Sequence, residues 1–413
     1  MDRAHRGSWS VVVAAVARTV RDLDLAEDAA AEAFAQAAER WRHDGVPTNP
    51  VGWLVTAARR RALDQLRRRA GLARRLPLLV VPEATDDVLT EVGDDVDREA
   101  GREVPAVFGS DLLRLLFTCC HPSLARDAQV ALTARLVCGL TTAETARLLL
   151  VQEATVAARV TRAKKKIAAA GVPFRVPTGA ELPDRLDTVL SVVHLLLTAA
   201  HTAPVGEDVV REDLLLRARE LTGALAGLMP DEPEVLAVHA LVLLTWARRR
   251  ARQGPDGRLL LLAEQDRSLW DGDVVAEADR LVRRALRARP PGRFALQAAI
   301  AACHATAPDY AGTDWEELLG LYDRLLHVWP TPVVALNRAV ALAEVDGARA
   351  ALTAVDESGV PDTYPYGHAV RAHLLRELGR TAEARREYDR AAALTGNAHE
   401  RMFLLARRDA LPG

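Results

Sequence analysis

The stretch from Leu140 to Gly171 admits few folds. Thr141 and Glu144 stand three apart, the spacing of a reciprocal helix cap, and open a short helix in GLTTAETARLLL. A turn follows, then a longer helix in QEATVAARVTRAKKKIAAAG, stopped by Gly171 and Pro173. Val156, Val160, Ala163 and Ile167 recur at helical spacing as its buried stripe. Thr155, Arg159, Arg162 and Lys166 form a second stripe, and no acid occurs between Ala154 and Ala170. The three lysines of the whole chain are Lys164, Lys165 and Lys166. A short helix, a tight turn and a basic second helix describe a helix-turn-helix facing duplex DNA, or, more plainly, a solvated face of a helical domain.

A second basic helix supports the nucleic-acid reading. Pro50 to Leu76 carries eight arginines against one acid, Asp64. Trp53, Leu54, Ala57, Ala58, Ala62 and Leu66 supply a buried face, and Thr56, Arg59, Arg60 and Arg67 are expected outside. Most of the Trp53 ring is expected to fill core. The turn-rich loop 43–49 precedes this helix, with Asn49 or Pro50 opening it. Such a loop beside a basic helix suits a base taken out of the stack.

Upstream, Asp22, Asp24, Glu27, Asp28 and Glu32 crowd the first half of another helix. Part of this is favoured by the helix dipole, and the excess points to a basic protein partner. Residues 82–105 hold nine acids and two arginines with weak periodicity. They read as a solvated linker, or as a strand lying in a basic channel. The formal net charge of −2 therefore conceals alternating acidic and basic blocks. With aromatics at only 4%, the cores must be built from Ala, Leu and Val, which favours an all-α fold.

From Val176 onward, helix follows helix. In HAVRAHLLRELGRTAEARREYDRAAALTGN, Ala372 meets Leu375, Gly379 turns the chain, and Ala384, Tyr388 and Ala391 fill the next helix. VVALNRAVALAEVDGARAALTAVDESG is a weaker copy, with Ala339 and Gly347 in the matching places. Such pairs stack into a surface for a peptide or protein, or form a compact domain without a ligand.

No nucleotide-binding glycine loop and no H-E-x-x-H occurs, so no catalytic residue, metal site or cofactor is assigned. Asp266, Arg267, Trp270 and Asp271 are a polar-aromatic cluster able to line a pocket, and His194, His201, His304 and Asp309 are scattered. Cys119-Cys120-His121 has poor ligand spacing, and buried small hydrophobes are the better reading. No stretch reads as a secretory signal or a membrane span, so a cytoplasmic location and no membrane partner are expected.

Residues 5–171 resemble an extracytoplasmic-function (ECF) type RNA polymerase sigma factor in the order and spacing of three stretches. These are DLDLAEDAAAEAFAQAAERW, NPVGWLVTAARRRALDQLRRR and the run from Leu115 to Ile167. The remainder resembles the long tetratricopeptide-like extension of one branch. The resemblance implies sigma region 2 over 1–70, an acidic linker over 71–107, sigma region 4 over 108–171 and a helical extension over 172–413. It implies core RNA polymerase and promoter DNA as partners, and a possible peptide or protein partner for the extension. Asp22, Glu27, Asp28 and Glu32 would meet the polymerase. Thr48, Asn49, Trp53, Thr56, Arg59 and Arg60 would handle the single-stranded −10 element. Thr155, Arg159, Arg162 and Lys166 would face the −35 duplex, with Lys164 and Lys165 on flanking phosphates. The linker would thread the RNA exit path. The alternative is a helix-turn-helix regulator with a tetratricopeptide sensor that does not bind core polymerase.

Overall fold

The computed structural model describes residues 2–75, 104–149, 151–178, 181–201, 211–254 and 260–412. The acidic linker expected over 71–107 lies mostly outside them. Every regular element among the described residues is helical. The chain divides into two compact units, Met1–Val193 and His194–Gly413.

In the first unit, α1 (Asp2–Val20), α2 (Leu23–Asp44) and α3 (Pro50–Arg75) pack on one another. Val12, Val13, Ala14, Ala15, Val16 and Ala17 of α1 have no exposed surface, which makes α1 the central helix. Ala26, Ala29, Ala30 and Ala33 of α2 and Ala58 and Ala62 of α3 are likewise buried. Small side chains allow close helix approach, which answers the shortage of aromatics. Asp22 caps α2, its Oδ1 accepting from the amides of Asp24 and Leu25 at 3.0 Å each. Asn49 does the same for α3, accepting from the Gly52 amide at 2.9 Å.

The second half of this unit contains α4 (Val104–Cys119), α5 (Arg126–Leu136), α6 (Thr142–Leu148) and α7 (Glu153–Ala169), and α8 (Leu182–His201) begins in this unit and ends in the next. α1 packs on α4, and α7 packs on α5 and α6. Phe117, Leu116, Leu132, Leu136 and Leu140 form a buried core. Cys119, Cys120 and Cys138 are buried in it. Burial pushes the Cys120 thiol up to about 12 and the Cys119 thiol well above its usual range, so both are neutral, as core hydrophobes should be.

The second unit holds α9 (Glu212–Leu228), α10 (Pro233–Ala247), α11 (Gly272–Ala285), α12 (Arg293–Thr306), α13 (Trp315–Val328), α14 (Pro332–Asp346), α15 (Ala348–Glu357), α16 (Pro365–Glu377), α17 (Thr381–Leu394) and α18 (Ala398–Asp409). From α9 to α18 each helix packs on the next, as paired helices of a tetratricopeptide-like stack. Ala372, Leu375, Ala384, Tyr388 and Ala391 share one apolar cluster with Leu404 and Leu411. Leu336, Ala339, Ala351, Val355 and Leu374 form the neighbouring one. Gly379 and Gly347 turn the chain at φ +71° and +85°, a region open to glycine.

The cluster of Asp266, Arg267, Trp270 and Asp271 is a fastening. Asp266 caps a single 3-10 turn, and Arg267 donates from Nη1 to the carbonyls of His304 and Ala307 at the end of α12, at 2.9 and 2.6 Å. Arg248 and Arg267 both lie over the Trp270 ring, 5.0 and 4.6 Å from its centroid. No helix among the described residues is long and apolar enough to cross a membrane.

Candidate nucleic-acid interface

Two basic surfaces can be built from the first unit. The first lies along α3. Its first turn leaves the helix-opening loop exposed at Thr48 and Asn49. An open cavity of about 670 Å³ lies alongside the packed α2 and α3, lined by Glu32, Gln36, Glu39 and Arg40 on one side and Trp53, Thr56, Arg60, Arg61 and Asp64 on the other. Trp53 is half-buried and meets the edge of Trp41, with ring centroids 5.7 Å apart. One part of that ring therefore packs and another faces the cavity. Thr56 and Arg60 are exposed, and the Thr56 hydroxyl donates to the Gly52 carbonyl at 2.8 Å. Arg59, expected outside, is buried at 9% exposure. It stands four residues after Val55 and three before Ala62, so it belongs to the buried face. Counting apolar residues alone hides this, because α3 packs against both α1 and α2 and its inner face is correspondingly broad.

The second surface is α7. The Thr141 hydroxyl accepts from the Glu144 amide at 3.1 Å, and the Glu144 carboxylate accepts from the Thr141 amide at 2.8 Å. This box fixes α6, which with α7 makes the helix-turn-helix. Gly139, at φ +68°, makes the approach to α6, and a Cβ there would lie 3.3 Å from Trp9 of α1. Val156, Val160, Ala163 and Ile167 are buried as the stripe predicts. Arg162, Lys165 and Lys166 are exposed, whereas Thr155 and Arg159 are half-buried. Arg159 is bridged to Asp127.

Lys164 does not join this outer face. It is 8% exposed, and its Nζ lies 2.9 Å from Asp24 Oδ1 and 2.5 Å from Glu27 Oε2, both on α2. The other Glu27 oxygen accepts from Arg135 Nη2 at 2.6 Å. Burial works against the Lys164 charge, but Glu27 and Asp24 outweigh it and hold the ammonium above its usual pKa. The sequence signal for this was present: residue 164 follows Val160 by four and precedes Ile167 by three. It therefore shares their face, although the triplet of lysines suggests one solvated patch. Arg135 carried no such signal.

The four acids assigned to a protein partner are distributed unevenly. Asp22 caps α2 and meets Arg69 at 3.2 Å, Glu32 is salt-bridged to Arg61, Glu27 is held by Lys164 and Arg135, and Asp28 is exposed. The described arrangement can present cations to a polyanion on α7 and along α3. His194 and His304, pushed down to about 4 mainly by burial, are neutral packing groups against Phe294 and Trp315.

Comparison with known proteins gives these surfaces a context. Residues 10–71 match sigma-70 region 2, and residues 114–167 match sigma-70 region 4. Residues 185–286 match a family of unknown function (DUF6596). A protein of Rhizobium meliloti (strain 1021), named Uncharacterized protein R00370, is 39% identical over 398 residues, covering 96% of this chain and 92% of its own.

Proposed function

The chain belongs to one family with its Rhizobium meliloti relative and carries the non-catalytic sigma-70 regions 2 and 4, and on that premise we propose that it is an ECF-type RNA polymerase sigma factor. Its role in transcription is promoter recognition and opening, while the polymerase performs the chemistry. The acidic helix α2 docks on a basic surface of core polymerase. The exposed face of α7, with Arg159, Arg162, Lys165 and Lys166, holds the −35 duplex. Thr48, Asn49, Thr56 and Arg60, with the cavity edge of Trp53, receive the separated −10 strand, and Arg59 supports that helix from within. Melting a few base pairs costs several kcal/mol, offset by trapped bases and phosphate contacts. The linker 71–107 follows the RNA exit path, and the tetratricopeptide-like extension binds a peptide or protein, all in the cytoplasm.

The observation that carries this reading is the pairing of α7, which holds no acid from Ala154 onward and exposes Arg162, Lys165 and Lys166, with a cavity whose α3 wall presents Trp53, Thr56, Arg60 and Arg61 beside Asp64, within matched regions 4 and 2. A second reading, a regulator that ignores core polymerase, draws support from the internal ion pairs at Asp22, Glu27 and Glu32. Gel filtration of the full chain with core polymerase separates them. Co-elution that Asp28→Lys plus Glu32→Lys weakens is the expected result, and no co-elution at low salt supports the regulator.

A further inference from the structure

Arg248 directly follows α10, half-buried, and makes no hydrogen bond or ion pair among the described residues. Its guanidinium stands over the Trp270 ring, and its Nε is cut off from solvent without an acceptor. Arg267 stands over the same ring. It uses Nη1 to hold the carbonyls of His304 and Ala307, while its Nη2 is buried without a partner. Trp270 Nε1 and His304 Nδ1 are buried and unpartnered as well. Unsatisfied nitrogens thus gather round one indole, from the end of α10, the 3-10 turn, the approach to α11, and α12. Buried polar atoms are nearly always paired, so a cluster of orphans in one place calls for a function.

Charge points the same way. Asp309 is the carboxylate that acts on Arg267, and none acts on Arg248. Arg252, 6% exposed, adds a third guanidinium beside Arg248, with Glu400 as its carboxylate. Burial first, and then Arg267, push the Arg248 guanidinium down to about 10. Burial and then Arg248 push Arg252 down to about 10. Withdrawn cations that outnumber their counter-charges are costly, and an anion relieves that cost.

We propose that the cluster round Trp270 is a binding site for the phosphate group of a small molecule. Arg248 and Arg267 supply the charge, and Trp270 Nε1 and His304 Nδ1 supply further donors. Arg248 Nε with one outer nitrogen makes a fork that takes two oxygens of one phosphate. A doubly charged phosphate matches two guanidiniums, whereas one carboxylate matches a single guanidinium. The shared indole holds both guanidiniums in place, which preorganises the site. A phosphate held here ties the end of α10 to the turn before α11 and to α12. The site goes beyond the sigma reading and requires no polymerase.

Calorimetric titration of the full chain tests it, in phosphate-free buffer at fixed ionic strength, with inorganic phosphate, glycerol 3-phosphate and succinate as probes. Saturable single-site binding of at least one phosphate is expected, with succinate weaker. Glycerol 3-phosphate binding tighter than the inorganic ion supports an ester as the source, and the reverse order supports the free ion. Arg248→Gln should weaken phosphate binding about tenfold or more, the loss of one charge-assisted hydrogen bond. Arg162→Gln plus Lys165→Gln, on the exposed face of α7, should leave it unchanged. No phosphate binding by the full chain overturns the site. So does binding that survives Arg248→Gln intact, or that disappears with the α7 pair. If Arg248→Gln loses its helical circular dichroism, Arg248→Lys decides. It keeps the charge over the ring without the fork, and should bind phosphate a few-fold more weakly; undiminished affinity there overturns the site.

Discussion

Arg159 Nη2 lies 2.9 Å from Asp127 Oδ2, a bridge from α7 to α5. Asp127 is 70% exposed, so the pair contributes at most about 1 kcal/mol. A phosphate oxygen can take over the arginine at small cost. Arg159→Ala with Arg162→Ala should therefore weaken binding to a −35 duplex and reduce the slope of log K against log salt by about 2. Asp127→Asn should tighten binding a few-fold. Fluorescence anisotropy across a potassium chloride series measures both, and an unchanged slope in the double variant would remove this face from the interface.

Glu234 and Gly292 make a second measurable relationship, in the C-terminal unit. The Glu234 carboxylate accepts from the amides of Phe294 and Ala295 at 3.0 Å each, capping the start of α12 from a neighbouring helix. A Cβ on Gly292 would lie 2.4 Å from the Glu234 carboxyl carbon. Glu234→Ala should cost about 1–2 kcal/mol through the lost cap. Gly292→Ala should cost a similar amount by displacing the carboxylate, yet little once Glu234 is already alanine. Urea midpoints of the two single variants and the double variant close the cycle, and simple additivity would show that the two residues do not share the cap.

Acid should loosen the C-terminal unit. His194 and His304 have folded pKa values pushed down to about 4, first by burial and then by neighbouring arginines: Arg293 for His194, Arg248 and Arg267 for His304. Unfolded histidine titrates near 6.5. Between about pH 6.5 and 4 the unfolded chain therefore holds protons that the folded chain refuses, and stability falls as pH falls. Each histidine contributes a loss on the order of 3 kcal/mol once pH reaches about 4. Hydrogen exchange in peptides covering α8 and α12, corrected for intrinsic rate, should show protection dropping through this window. Constant protection down to pH 4.5 would contradict the burial of these rings.

The residues differ in how plainly they announced their places. The buried stripe of α7, the Thr141–Glu144 box and the repeat positions Ala372, Gly379 and Tyr388 were legible because local periodicity and caps decide them. Arg59 and Lys164 were not, because tertiary contacts decide them. Arg59 lies on a helix enclosed from two sides, and Lys164 finds its carboxylates 140 and 137 residues away in sequence. A run of like charges suggests a single solvated face, and helix geometry divides it when one member falls between two buried apolar positions. Arg267 was legible as special chemistry but not as structure, since its acceptors are backbone carbonyls that leave no trace in composition.

As a sigma factor, this chain would direct core polymerase to initiate. Run-off transcription on a randomised promoter library, with core polymerase plus the full chain against core alone, tests it most directly. Discrete transcripts should appear only with the chain, start downstream of a shared −35 and −10 pair, and diminish with Arg159→Ala plus Arg162→Ala. Transcript patterns identical with and without the chain would contradict it.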